Sequence, residues 1–159
     1  MAIYYLDASA VVKYFHNEPG SVWVMEIIRS IDLDTQQRVN SIYICSVSIA
    51  EVPAAFAMLW RSQRIGKNLR DTMYRAFFNA LEDEMQVLHA TQEILYDAAR
   101  LTQQYPLKGY DAIQLAVALN YHQSLRQQTL ELVFVTGDNA LLQAARAEGL
   151  AAENPFDHQ

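Results

Sequence analysis

Apolar positions along the chain switch repeatedly between two spacings. Short, largely apolar runs at 2–6, 42–46 and 132–135 are each followed by a segment whose apolar residues recur every three to four positions. Ala2 to Leu6 therefore reads as a buried strand running into a helix over Ala8 to His16. Glu18-Pro19-Gly20 breaks the chain before a second helix from Ser21 to about Ile31, and polar Asp32 to Ser41 reads as a loop. Ile42 to Ser46 is the second strand, followed by a helix that passes Trp60. Gly66 separates that helix from an amphipathic one over Asn68 to Leu81. Met85 to His89 reads as a short strand and Gln92 to Gln104 as a helix ended by Pro106. The Ala-rich, strongly apolar Tyr110 to Tyr121 reads as a central helix. Leu132 to Val135 is a further strand, and Asn139 to Glu148 the helix after it. Strands alternating with helices predict an α/β fold with a central parallel sheet covered on both faces.

At 159 residues, with 52% hydrophobic and 19% charged residues, the chain suits one ordered domain over 1–159 rather than a disordered segment. No repeat, low-complexity tract or interdomain linker interrupts it. Cys45 is the single cysteine, which excludes an internal disulfide framework and a cysteine-based zinc cluster and fits a reducing compartment. The N-terminal run meets Asp7 before it becomes long enough for a signal peptide, and no stretch reaches the roughly 18 apolar residues of a membrane span. A soluble, cytoplasmic protein with no membrane partner is the expectation. The net charge of −6 argues at first against nucleic acid. The objection weakens if several acids converge on a metal, because a bound divalent cation reverses the local sign.

Four acids stand where chemistry is expected. In open parallel sheets ligands bind beyond the carboxyl ends of the strands, near a change in strand order. Asp7 ends the first strand, Glu51 lies about a turn beyond the second, Asp111 opens the apolar helix, and Asp138 follows Val135-Thr136-Gly137. Each also has an ordinary explanation. Asp is a favoured helix N-cap, and Ser48-Ile49-Ala50-Glu51 fits a capping box, although Pro53 sits close behind. Spacing alone leaves both readings open.

The flanking residues carry more. Tyr5-Leu6-Asp7-Ala8-Ser9 is an apolar strand ending in D-x-S, and Ser46-Val47-Ser48-Ile49-Ala50-Glu51 leads a strand into a helix bearing Glu. Lys108-Gly109-Tyr110-Asp111-Ala112 opens a long apolar helix, and Thr136-Gly137-Asp138 is a T-x-D before a small helix. Gly149 to Pro155 closes the chain with a short strand pattern and Asn-Pro. In this order the segments resemble the motifs of the PIN-domain ribonuclease family, and in particular its VapC-like branch, the toxins of type II toxin–antitoxin systems. The resemblance spans nearly the whole chain. It implies a three-layer fold, with Asp7, Glu51, Asp111 and Asp138 as metal-binding acids at one sheet edge. It makes Ser9 and Thr136 hydroxyls that orient carboxylates or water, with Asn139 a weaker candidate on the same rim. It also implies an endoribonuclease using Mg²⁺ or Mn²⁺, products with a 5′-phosphate and a 3′-hydroxyl, a small cognate antitoxin and a homodimer. All-oxygen donors suit those hard cations, which acidify a bound water and bind phosphate oxygens. Pro53 beside Glu51, and polar stretches at Asp32 to Asn40 and Gln123 to Thr129 that lengthen the loops, are the departures from the pattern.

Other chemistries find less support. The four histidines show no H-x-x-x-H pairing, and neither G-x-S-x-G nor a P-loop occurs. Basic residues gather at Arg61, Arg64, Lys67, Arg70 and Arg75, near Trp60 and Tyr74. They read either as a solvated hairpin or as an RNA-facing wall with cations on phosphates and rings under bases. Lys13 and Lys108 are further phosphate candidates. Trp60, Met73, Phe77 and Phe78 read as core or as a partner surface. Two rival functions remain. One is a haloacid-dehalogenase-like phosphatase with Asp7 as nucleophile, in which Ser9 stands where that family carries a second Asp. The other is a non-catalytic module of the same fold.

Overall fold

The computed structural model describes residues 2–158. Five parallel strands form one sheet: β1 (Ile3–Leu6), β2 (Ser41–Cys45), β3 (Gln86–Leu88), β4 (Leu132–Val135) and β5 (Ala151–Glu153), in the order β3-β2-β1-β4-β5. The helices are α1 (Ala8–Phe15), α2 (Ser21–Arg29), α3 (Ser48–Arg61), α4 (Lys67–Asp83), α5 (Gln92–Gln104), α6 (Gly109–Arg126) and α7 (Asn139–Ala147), with a 3₁₀ turn at Pro155–Asp157. The chain builds outward from β1 to β3, then returns to the other side of β1 with β4, so strand order switches between β1 and β4. That is where open sheets of this kind bind ligands.

Period-two alternation explains the layers. Ile3 and Tyr5 of β1, Cys45 of β2, and Leu132 and Phe134 of β4 face a core completed by α5, α6 and α7. Leu6, Ile42, Ile44 and Val135 face the opposite core, built with α1 to α4. Both faces of β1 and β4 are covered, which is why these strands read as unbroken apolar runs. Tyr5 stacks on Phe134 across the β1–β4 pair, ring centroids 5.3 Å apart. On the other face Phe15, Phe56 and Phe77 meet edge to face. Met73 and Phe77 are therefore core residues, while Phe78 is half-buried and Trp60 lies at the edge of exposure.

Several boundaries differ from the sequence expectation. Helix α2 stops at Arg29, and Ile31 instead bridges to Arg38. Helix α6 runs on to Arg126 through residues expected to form a loop, because Leu125 is buried and anchors the last turn. The Ser48–Glu51 capping box does not form: Val47 caps α3 without a side-chain bond, and Ser48 is fully buried. Pro53 lies inside α3. Gly20 has a φ of +87°, and a Cβ there would stand 2.4 Å from the Pro155 carbonyl oxygen, so only glycine lets the C-terminal turn pack on the start of α2. Among the described residues no helix is long and apolar enough to cross a membrane.

Candidate active site

Asp7 leaves β1 at the switch point and caps α1. Its Oδ1 accepts from the Ala10 N–H (2.8 Å) and the Ser9 hydroxyl (2.7 Å), and its Oδ2 accepts from the Thr136 hydroxyl (2.6 Å). The same hydroxyls tie in the neighbouring strand end: Thr136 Oγ1 accepts from the Asp138 N–H at 3.0 Å, and Ser9 Oγ from the Gly137 N–H at 2.9 Å. The D-x-S and T-x-D turns are thus one hydrogen-bonded unit, and Asp7 is both helix cap and site acid. With its two lone-pair positions on Oδ1 filled, the carboxylate keeps acceptor capacity on Oδ2. Asp7 is only 4% exposed. Burial pushes its pKa up to about 6, against the lowering by Thr136, Ala10 and Ser9, and the negative charge of Asp111 adds to the rise.

Asp138 caps α7 through Leu141 N–H (2.9 Å) and lies exposed at the rim. Asp111 sits in the first turn of α6, where burial raises its pKa first and the charge of Asp138 second, partly offset by the Lys108 N–H and ammonium. Glu51, in the first turn of α3, is raised by burial and by Asp111 and lowered by a bond from Gln114. Asp111 therefore lies within the field of all three other acids. As the side chains stand, no three His, Cys, Asp or Glu among the described residues form a group that could hold one ion. The fit to a divalent cation is one of donor chemistry and charge: four carboxylates at one sheet edge, an all-oxygen set, three of them raised by burial and like charge.

Between α1 and α3 runs a groove of about 470 Å³, from Ser9 past Val12, Ala55, Met58 and Leu59 to Arg64. It begins at Ser9, whose hydroxyl bonds Asp7, also takes in Glu18, and ends at Ser62 and Arg64 in the turn after α3.

The family model described as the PIN domain matches residues 4–147. The chain belongs to the PIN-domain family. No curated relative matches the sequence. Solved structures show the same fold at low identity. PAE2754 from Pyrobaculum aerophilum is 20% identical with a TM-score of 0.58, the match covering 98% of this chain and 91% of that one. VapBC2 of Rickettsia felis bound to a promoter DNA fragment is 15% identical with a TM-score of 0.57, covering 96% and 98%. VapC20 of Mycobacterium tuberculosis, a sarcin–ricin-loop-cleaving toxin, is 14% identical with a TM-score of 0.58, covering 92% and 95%.

In this PIN domain the expected acids and hydroxyls share one edge of the sheet, whereas the expected cations are divided. Lys13 is buried, its ammonium 2.8 Å from Glu18 Oε1, 3.0 Å from the Pro19 carbonyl and 3.7 Å above the Phe156 ring. A phosphate would have to compete with all three, so its visible work is to hold the α1–α2 turn and the C-terminal turn together. Arg61, Arg64 and Lys67 are exposed on the α3–α4 turn. Arg70 instead covers the Trp60 ring at 4.3 Å and pairs with Asp71. Asn139 accepts from Asn154, tethering the Asn-Pro turn. Ser9, standing where a haloacid-dehalogenase-like phosphatase would carry a second Asp, instead donates its hydroxyl to Asp7 Oδ1. Sequence reasoning missed Gln114, a buried amide one turn after Asp111. Its signal was a lone polar residue within Ala112-Ile113-Gln114-Leu115-Ala116.

Proposed function

We propose that this PIN domain is a metal-dependent endoribonuclease, the toxin of a toxin–antitoxin pair, acting in the cytoplasm. What supports the reading is that Asp7, Glu51, Asp111 and Asp138 all stand at strand ends or helix N-termini beyond the carboxyl ends of the strands, with Asp111 within the field of the other three. These residues would hold Mg²⁺ or Mn²⁺, and a bound ion supplies Lewis acidity toward a phosphodiester and a more acidic water. The chain does the rest. Ser9 and Thr136 fix the Asp7 carboxylate, leaving Oδ2 able to accept further. Asp111 and Glu51 add negative charge that a cation neutralises. Arg61, Arg64 and Lys67 draw the RNA backbone along the groove toward Ser9.

Toxin–antitoxin and VapBC structures among the fold neighbours support a small antitoxin as partner. The groove's apolar wall beside a basic turn suits an amphipathic segment of such a protein, seated so as to block the acids. A homodimer is part of the same reading.

The test incubates purified protein with labelled RNA and with a phosphomonoester, with and without Mn²⁺ or Mg²⁺. Cleavage of RNA that requires the ion and falls at least a hundredfold in Asp7→Asn and Asp111→Asn is the expected result. Phosphate release without RNA cleavage would replace the proposal with a phosphatase. Inactivity toward both, with the ion bound, would leave a binding module.

A further inference from the structure

We propose that Gln114 is a positioning residue that sets where Glu51 stands relative to Asp111, with Tyr5 fixing the orientation of its amide. The inference rests on the reading of Glu51 and Asp111 as metal-binding acids.

Helices α3 and α6 pack on opposite faces of the sheet, in different cores. Their N-termini meet only past the carboxyl ends of the strands, and there Gln114 bridges them. Its side chain is 2% exposed in an otherwise apolar stretch of α6. A buried amide is costly unless its hydrogen-bonding groups are satisfied. Gln114 Nε2 donates to Ser48 Oγ at 2.9 Å and to Glu51 Oε2 at 2.7 Å, and Oε1 accepts from the Tyr5 hydroxyl at 2.8 Å.

The chemistry of the partners decides which way the amide faces. An ionised Glu51 only accepts, so the nitrogen must face it, and the Tyr5 hydroxyl must then donate to the oxygen. Tyr5 in turn is locked by stacking on Phe134. Both amide hydrogens are used, one on each of two residues three apart in α3, which fixes the rotation of that helix end as well as the carboxylate. One oxygen of Glu51 is held, and Oε1 has no bond from Gln114. Asp111 projects from the same helix as Gln114, one turn earlier, so a single rigid element governs both acids. A purely packing role would be filled as well by Leu or Met.

The experiment measures Mn²⁺ binding to the full chain by calorimetry, alongside thermal unfolding of the metal-free protein. Four variants are compared with the parent: Glu51→Gln, Gln114→Met, Tyr5→Phe and the Glu51→Gln/Gln114→Met double. Gln114→Met is expected to weaken Mn²⁺ binding about tenfold, as loss of an orienting partner of a metal ligand does. Tyr5→Phe, which keeps the ring on Phe134, is expected to weaken it in the same direction by less. On the Glu51→Gln background the Gln114 substitution should add nothing. Parental Mn²⁺ affinity in both Gln114→Met and Tyr5→Phe would overturn the proposal even if melting temperatures fall, and so would an undiminished effect in the double variant. If Gln114→Met does not fold, Tyr5→Phe decides alone. If Glu51→Gln binds Mn²⁺ like the parent, the assignment of Glu51 as a ligand fails first, and that outcome is distinct from a failure of Gln114.

Discussion

Asp7 is held between opposing forces. Three hydrogen bonds favour its charged form, while enclosure by protein outweighs them and lifts its pKa to about 6. The folded state thus keeps a proton that the unfolded chain releases near the ordinary aspartate value of 3.8. Stability from this group is present below about pH 4, declines as pH rises, and is gone above about 6. A shift of this size corresponds to about 3 kcal/mol. Urea denaturation of metal-free protein should show that decline between pH 4 and 7, and Asp7→Asn should make it shallower, leaving the part due to Glu51 and Asp111. An identical slope in the variant would mean that Asp7 is not the strained group. At this scale the sequence was legible where neighbours in the chain do the work, as in D-x-S and T-x-D. It was silent where they do not. Gln114 gains its meaning from Tyr5, Ser48 and Glu51, and Lys13 loses its freedom to Glu18 and Phe156, partners that only the fold assembles.

The same contrast holds for elements. Strands covered on both faces announced themselves as apolar runs, and helices by their spacing, so order and type were readable. Ends were not. The stretch Gln123 to Thr129 looked like a loop, yet one buried residue, Leu125, extends α6 as far as Arg126. The turn joining α3 and α4 carries Arg64, which lines the groove at the end away from Ser9, and is flanked by the exposed Arg61 and Lys67. Cations that hold the RNA backbone away from the reacting bond bind ground and transition states alike. Replacing all three with Ala should raise KM for RNA by about tenfold, leave kcat nearly unchanged, and flatten the dependence of KM on salt. A fall in kcat with unchanged KM would remove the turn from substrate binding.

For the whole molecule, the site lies where two cores and the two central strands come together, so a ligand there engages both layers. A cation that binds only the folded chain stabilises it by mass action, about 2.7 kcal/mol at a hundredfold excess over Kd. For a domain of this length that corresponds to roughly 5–10 °C in Tm. Calorimetric melting with added Mn²⁺ should show such a rise in the parent and little in Asp111→Asn. No rise in the parent would count against the ion. The outer strands have a different consequence. Both β3 and β5 are three residues long. Each rim of the sheet therefore exposes only a few open backbone groups, too short a template for another chain to zip onto. Short outer strands of this kind guard the protein against edge-to-edge aggregation while it is made and concentrated.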